Sequence, residues 1–207
     1  MGGTFNPIHL GHLLLSQRAY EQFDLEKVYI MPVNNPPHKQ GERIAEDVHR
    51  CAMVQLAIAS NPNFELSLME VNRKGFTFTC DTLKELSQQF PEKEWYFIVG
   101  ADSLASMERW KNPSEIFAMA TIVVGVREDY DETKLTTIIK HLEKTYEAKI
   151  KLLKMPNIDI SSTDIRERIR CGLSCKYLVP ESVEEYMESH RLYTLNERTR
   201  INPSLEG

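Results

Sequence analysis

Five short apolar runs recur along the chain, and each is largely continuous instead of alternating with polar residues. They cover residues 27–32, 64–68, 95–100, 121–126 and 149–155. Continuous runs of this length are typical of strands that are covered on both faces. The pattern therefore predicts a buried β-sheet.

Stretches with helical periodicity separate and follow these runs. They cover residues 10–23, 45–59, 79–90, 103–109, 130–146, 163–171 and 181–190. Because strands and helices alternate, the pattern predicts an α/β fold with a doubly wound parallel sheet. Since no linker or repeat divides the chain, we expect one domain over residues 1–193, followed by a polar, disordered tail over residues 194–207.

Composition narrows the class of protein. The 207 residues are 42% hydrophobic, which suffices for one substantial core, and they carry a formal net charge of −5. A negative chain is unsuited to coating nucleic acid polymers, so no such partner is expected. No apolar run approaches the ~20 residues of a membrane span, and the chain shows no signal-peptide pattern at its start. We therefore expect a cytoplasmic protein that binds no membrane.

The first candidate site is the motif GGTFNPIHLGH at residues 2–12. His9 and His12 are three residues apart at the mouth of the first predicted helix, so both imidazoles can share one face. Gly11 between them leaves room for a ligand to lie against the backbone. A helix N-terminus attracts anions, so this pattern predicts a phosphate site, although a single histidine in such a place is more often a cap or a packing residue.

The second candidate site is the segment ISSTDIR at residues 160–166. Ser161 and Asp164 fit the pattern of a helix cap. Arg166 is a cation that we expect in the first helical turn, where the helix dipole disfavours it unless an anion is bound. The alternative is an exposed Arg166 that is neutralised by Asp164 and Glu167.

Together these segments resemble the two signatures of the HxGH nucleotidyltransferase superfamily, GxFxPxHxGH and ISSTxxR. The resemblance implies transfer of a nucleotidyl group, with His9, His12 and Arg166 as catalytic residues and the hydroxyls of Ser162 and Thr163 on the phosphates. The first motif is also similar to the HIGH sequence of class I aminoacyl-tRNA synthetases, but the chain is short and has no KMSKS-like segment.

Within that superfamily the chain resembles the bacterial nicotinate-nucleotide adenylyltransferases. The segments that carry this likeness are 35–39 (NPPHK), 78–83 (FTCDTL), 100–110 (GADSLASMERW) and 178–193 (LVPESVEEYMESHRLY). The resemblance implies adenylyl transfer from ATP to nicotinate mononucleotide, with Mg²⁺ carried on the ATP. The contacts that it implies are Gly2, Gly3, Thr4, Phe5, His9, His12, Gly100, Asp102, Ser162, Thr163 and Arg166 for ATP, and Lys39, Thr79 and Trp110 for the mononucleotide.

Two departures and several alternatives qualify this interpretation. That family carries an apolar strand before its GGTF sequence, whereas Met1 directly precedes Gly2 here, so we expect a sheet without its usual first strand. An Arg-Pro-Gly turn is replaced by residues 126–129 (VRED), which puts the role of Arg127 in doubt. A phosphopantetheine adenylyltransferase, a non-catalytic nucleotide sensor, a preference for nicotinamide mononucleotide and a homo-oligomer all stay open at the level of sequence.

Overall fold

The computed structural model describes residues 1–34, 44–127 and 132–194. Six parallel strands alternate with eight α-helices in this part of the chain. The strands are β1 (Gly2–Gly3), β2 (Val28–Pro32), β3 (Phe64–Leu66), β4 (Trp95–Gly100), β5 (Ala120–Arg127) and β6 (Ile150–Met155). The helices are α1 (Leu10–Gln22), α2 (Asp47–Ile58), α3 (Thr79–Gln89), α4 (Ala101–Ser106), α5 (Pro113–Met119), α6 (Glu132–Tyr146), α7 (Ser162–Arg170) and α8 (Glu181–Ser189).

The five predicted strands are confirmed, with ends that shift by one or two residues. The predicted helix over 103–109 is α4 followed by a 3₁₀ turn at Met107–Arg109. The sequence pattern does not predict β1 or α5. Helix α5 is short, and it starts with Pro113 at its first position, where the fixed φ of proline suits a helix. Of the predicted tail, residues 195–207 lie outside the described residues.

The strands form two parallel triplets, β1-β2-β3 and β4-β5-β6. Strand β1 also lies beside β4. The two strands are so close that a Cβ added to Gly2 would be 3.9 Å from Cε2 of Phe97. The order across both triplets is therefore β3-β2-β1-β4-β5-β6, with the chain switching direction of winding between β1 and β4. This confirms the predicted doubly wound α/β sheet.

Both faces of the sheet are covered, which explains the continuous apolar runs. In β5, Val123 packs into one core with α1, α2, α7 and α8, while Ile122 and Val124 pack into the other with α3, α4, α5 and α6. Successive side chains of a strand point to opposite faces, so a strand buried on both sides needs no polar positions.

Strand β1 is two residues long and begins directly after Met1. The Met1 ammonium donates a hydrogen bond to the carbonyl of Tyr29 (2.8 Å), and burial lowers the pKa of this ammonium to about 6. Beyond it, between β2 and β4, lies a cleft of about 700 Å³. Its lining includes Met1, Tyr29, Leu83, Leu86, Trp95 and Phe97.

Two further findings concern membrane spans and the cysteines. Among the helices of the described ranges, none is both long and apolar enough to cross a membrane. All four cysteines are free thiols: Cys80 and Cys175 are buried, Cys51 is half-buried and Cys171 is exposed.

Candidate active site

The loop between β1 and α1 carries the first motif, and its glycines are needed for steric reasons. Phe5 is buried and has a φ of +47°, which turns its ring back over the end of β1. A Cβ on Gly3 would lie 2.9 Å from Cζ of this ring, so any other residue at this position would displace Phe5. The ring of Phe5 in turn meets His12 edge to face, with centroids 5.1 Å apart.

The two histidines share one face of the helix start, as their spacing predicts. His9 is the N-cap of α1, and its ring stacks on that of His12 with centroids 3.6 Å apart. The backbone N–H of His9 donates to Nδ1 of His12 (3.3 Å), which leaves Nε2 to carry the ring proton of a neutral His12. A Cβ on Gly11 would approach the His9 ring to 3.1 Å, so the glycine makes room for the stack.

His9 is a buried ring in an unusual electrostatic position. Only 6% of the residue is exposed, and burial lowers the pKa of its imidazole to about 4, so the ring is neutral at pH 7. Its Nδ1 is buried and has no hydrogen-bond partner among the described residues. An unpaired buried polar atom costs about 1–3 kcal/mol, so this nitrogen, beside a helix N-terminus, is a candidate ligand contact.

The second motif lies directly against this loop. Ser161 is the N-cap of α7, and its Oγ accepts the N–H of Asp164 (3.1 Å), as the capping pattern predicts. Ser162 donates its hydroxyl to the carbonyl of Pro7 (2.8 Å). The hydroxyl of Ser162 therefore joins the two phosphate motifs to each other, which sequence reasoning did not anticipate.

The prediction that Arg166 lies in the first turn of its helix is wrong. With Ser162 as the first helical residue, Arg166 is the fifth, one turn further in, where the dipole matters less. Its guanidinium donates to the carbonyl of Asn6 (2.9 Å) and to Oγ1 of Thr163 (3.3 Å). Glu167, the suggested neutralising partner, pairs with Arg170 instead (2.9 Å). The backbone carbonyl of Asn6 thus holds Arg166 at the phosphate loop, and no carboxylate of the described residues forms a salt bridge with it.

Gly100 is the last residue of β4, and Asp102 lies two residues further along the chain. Gly100 is the N-cap of α4, and Asp102 lies exposed in the first turn of that helix. Since all strands are parallel, the residues that follow β1, β4 and β6 meet at the same carboxyl edge of the sheet. This edge brings Gly100 and Asp102 to the side on which the two phosphate motifs lie.

Thr79 lies at the start of α3, and Trp110 directly follows the 3₁₀ turn; these two segments contact each other. Thr79 is the first residue of α3 and not its N-cap, which is the extended Phe78. The indole N–H of Trp110 donates to Oγ of Ser106 (3.2 Å), and its ring meets Phe97 edge to face at 6.2 Å. The residue after the tryptophan, Lys111, lies over the ring of Phe78 at 4.5 Å and so ties this segment to the start of α3.

Two positions singled out in the sequence receive no structural account. Lys39 lies outside the described residues. The backbone of Arg127 ends β5, and its side chain lies outside the described part as well.

Sequence reasoning missed Arg50 of α2, which is only 1% exposed. Its guanidinium donates to the carbonyls of Thr4 (2.6 Å), Val33 (2.8 Å) and Ala45 (3.2 Å) and pairs with the carboxylate of Asp47. A signal was present, because Arg50 shares the helical face of the buried Met53 and Val54. A cation in that phase of an apolar helix face indicates a buried, fully paired group.

Comparison with known proteins adds a family to this geometry. A family model described as cytidylyltransferase-like matches residues 1–168. A "probable nicotinate-nucleotide adenylyltransferase" of Lachnoclostridium phytofermentans is 45% identical over 193 residues, which are 93% of this chain and 96% of that protein. The chain belongs to the nicotinate-nucleotide adenylyltransferase family. A further member, from Thermoanaerobacter sp., is 40% identical over 97% of this chain and 96% of its own length.

Solved structures support the fold of this adenylyltransferase family. The chain is similar to a nicotinic acid mononucleotide adenylyltransferase of Plasmodium falciparum, solved in complex with APC and in complex with NaAD. The TM-score is 0.75, with 18% identity over 93% of this chain and 94% of that one. At this identity the likeness establishes the Rossmann-like nucleotidyltransferase fold.

Proposed function

We propose that this member of the family transfers the adenylyl group of ATP to nicotinate mononucleotide, forming nicotinate adenine dinucleotide and pyrophosphate. The observation that carries the proposal is the stacked pair His9 and His12 at the mouth of α1, with Arg166 of α7 bonded to the same loop. The names of the relatives and the NaAD complex of the structural neighbour support this choice of substrate. The catalytic domain in this proposal spans residues 1–193.

The reaction needs no covalent enzyme intermediate. A phosphate oxygen of the mononucleotide attacks the α-phosphorus of ATP in line. The bond from that phosphorus to the oxygen that bridges to the β-phosphate breaks, and pyrophosphate leaves with the electron pair. The enzyme therefore contributes position and charge stabilisation, as is general for phosphoryl transfer.

His12 and His9 have different tasks at the α-phosphate. The Nε2–H of His12 donates to an α-phosphoryl oxygen, whose charge grows in the transition state. His9 closes the other side of the stack, where its buried Nδ1 takes a hydrogen bond from, or gives one to, the bound nucleotide. A donor placed at developing charge contributes on the order of 3 kcal/mol, or about a hundredfold in rate.

Arg166 holds the departing pyrophosphate together with the start of α7. Its guanidinium has five N–H donors. Within the described residues, one of them donates to the carbonyl of Asn6 and another to Oγ1 of Thr163, so the others are available for phosphate oxygens. The first-turn N–H groups of Ser162 and Thr163 have no acceptor within the helix and suit phosphate oxygens. At the opposite end of ATP, we assign the backbone of Gly2 and Gly3 and the side chain of Asp102 to the nucleoside.

The mononucleotide binds beside the start of α3 in this proposal. The backbone N–H of Thr79 meets the nicotinate carboxylate, and Trp110 offers a flat apolar ring to the pyridine. Lys39, which lies outside the described residues, is our candidate contact for the phosphate of this substrate.

Magnesium enters with ATP. The donors of the phosphate site are N–H groups, imidazoles and a guanidinium, which suit phosphate oxygens, whereas Mg²⁺ prefers oxygen ligands. No group of three His, Cys, Asp or Glu side chains with metal-ligand geometry occurs in the ranges that the structure describes. When bound, the ion would neutralise charge on the phosphates.

The test is turnover by the purified protein with ATP and Mg²⁺ and with nicotinate mononucleotide, nicotinamide mononucleotide or phosphopantetheine as acceptor. We expect pyrophosphate and nicotinate adenine dinucleotide, and a loss of at least about a hundredfold in His12→Ala. His141→Ala is the matched control, since His141 lies on α6 and pairs with Glu108. ATP binding without turnover on any acceptor would show a nucleotide sensor, and turnover with phosphopantetheine alone would show the rival enzyme.

A further inference from the structure

Asn6 joins three separate segments of the chain. It is only 3% exposed and lies inside the first phosphate motif. Its side-chain Oδ1 accepts the hydroxyl of Tyr193 (2.8 Å) and the backbone N–H of Ala45 (3.0 Å). Its backbone carbonyl accepts the guanidinium of Arg166 (2.9 Å). The orientation of this one residue therefore affects both the phosphate loop and the cation that serves it.

Tyr193 reaches Asn6 from the C-terminal end of the described chain. The backbone turns after α8 through the bond from the N–H of Leu192 to the carbonyl of Met187 (2.9 Å). Tyr193 itself has a φ of +63°, a left-handed conformation that is unfavourable for a residue with a side chain. This strained backbone carries the hydroxyl 187 residues back along the sequence to the start of the fold.

The tyrosine hydroxyl is a stable donor in this place. Burial raises the pKa of Tyr193 well above its ordinary value, so the hydroxyl keeps its proton at all working pH values. Without it, the Oδ1 of the buried Asn6 would lose the hydrogen bond from Tyr193 and keep the one from the backbone N–H of Ala45. A buried amide that loses a partner can rotate or shift, and its own carbonyl moves with it.

We propose that Tyr193 is a positioning residue for adenylyl transfer: its hydroxyl fixes Asn6, and the Asn6 carbonyl fixes Arg166 at the phosphates. The inference rests on the function proposed above. It goes beyond the phosphate motifs, because it gives the C-terminal segment after α8 a part in setting the rate. A displacement of about 1 Å in a group that contacts the transition state can cost up to about a hundredfold in rate.

The test is Tyr193→Phe, which removes one hydroxyl and keeps the ring. Tyr186→Phe is the matched control, because Tyr186 belongs to α8 and its hydroxyl bonds to Nδ1 of His49 (3.0 Å), away from the loop. We expect kcat to fall about tenfold in Tyr193→Phe, with little change in KM for nicotinate mononucleotide. Tyr186→Phe should keep the wild-type kcat, and the two variants should lose similar amounts of melting temperature. A wild-type kcat in Tyr193→Phe, or equal losses in both variants, overturns the inference.

A second measurement asks whether the tyrosine acts through Arg166. In an Arg166→Ala background, Tyr193→Phe should have no further effect on kcat, since the group that it positions is gone. Losses that simply add would contradict the inference.

The failure of this inference can be told apart from the failure of the proposed function. If the wild type gives no turnover with nicotinate mononucleotide, the function fails on its own. The affinity for a non-hydrolysable ATP analogue, measured by calorimetry, then tests the positioning: weaker binding by Tyr193→Phe than by Tyr186→Phe supports it, and equal binding overturns it.

Discussion

The imidazoles of His9 and His12 lie face to face, with ring centroids 3.6 Å apart and planes inclined by 25°. The two imidazoles nevertheless differ in their burial and in their hydrogen bonds. His9 is buried and neutral, whereas His12 uses Nδ1 to accept the backbone N–H of His9 and so turns Nε2 into the proton donor. The stack therefore combines a ring that shapes the site with a ring that serves the reacting phosphate.

The role of His12 as the proton donor predicts different outcomes for two substitutions of this residue. An asparagine can replace the Nδ1 acceptor but has no donor where Nε2 lies, while a glutamine can place a donor near Nε2. His12→Asn should keep the wild-type unfolding free energy within about 1 kcal/mol and lose at least about a hundredfold in kcat. His12→Gln should retain more activity than His12→Asn. Steady-state kinetics and urea unfolding of both variants measure this, and the reverse order of activities would contradict the assigned ring proton.

The lowered pKa of His9 predicts a pH dependence of stability. The unfolded chain takes up a proton at His9 below its ordinary value of 6.5, whereas the folded protein does so only near pH 4. The free energy of unfolding should therefore fall as the pH drops from about 6.5 to about 4, by up to on the order of 3 kcal/mol from this residue. In His9→Gln the loss between pH 7 and pH 5 should be smaller than in wild type. Urea unfolding at both pH values checks this, with His141→Gln as a control that should behave like the wild type.

Gly3 should tolerate no side chain. An alanine Cβ there would lie 2.9 Å from the ring of Phe5, which is buried and cannot move away freely. We expect Gly3→Ala to lower the free energy of unfolding by about 1–3 kcal/mol, the cost of overpacking a core. At Gly100 the added Cβ would meet nothing within 4 Å, so Gly100→Ala should leave stability nearly unchanged. Thermal unfolding of both variants decides, and equal stability losses would speak against steric exclusion at Gly3.

The stability of the fold should depend on the whole guanidinium group of Arg50 and not only on its charge. Arg50→Lys keeps the cation but cannot reach three carbonyls and a carboxylate with one ammonium group. We expect this variant to lose about 2–4 kcal/mol of unfolding free energy, because carbonyls of Thr4 and Val33 become unpaired in the interior. As a comparison, Arg170→Lys changes an exposed arginine and should cost less than about 0.5 kcal/mol. Chemical denaturation measures the unfolding free energy of both variants. A small loss in Arg50→Lys would refute the role of the branched guanidinium group.

Much of the fold and both phosphate motifs follow from the sequence alone. The apolar runs predict five of the six described strands, because a strand such as β5 that packs on both faces needs no polar positions. The spacing of His9 and His12 predicts their shared face, because helix geometry is local. The capping pattern predicts Ser161 as the N-cap of α7 for the same reason, and the structure confirms it.

Tertiary structure alone decided what holds these local features together. The bond from Tyr193 to Asn6 spans 187 residues, and that from Arg166 to the Asn6 carbonyl spans 160. Arg50 finds its carbonyl partners only because β1, β2 and α2 meet at one point. Sequence periodicity reports which face a residue occupies within its own helix or strand. It does not report which distant backbone that face will meet, because long-range contacts depend on how whole elements pack.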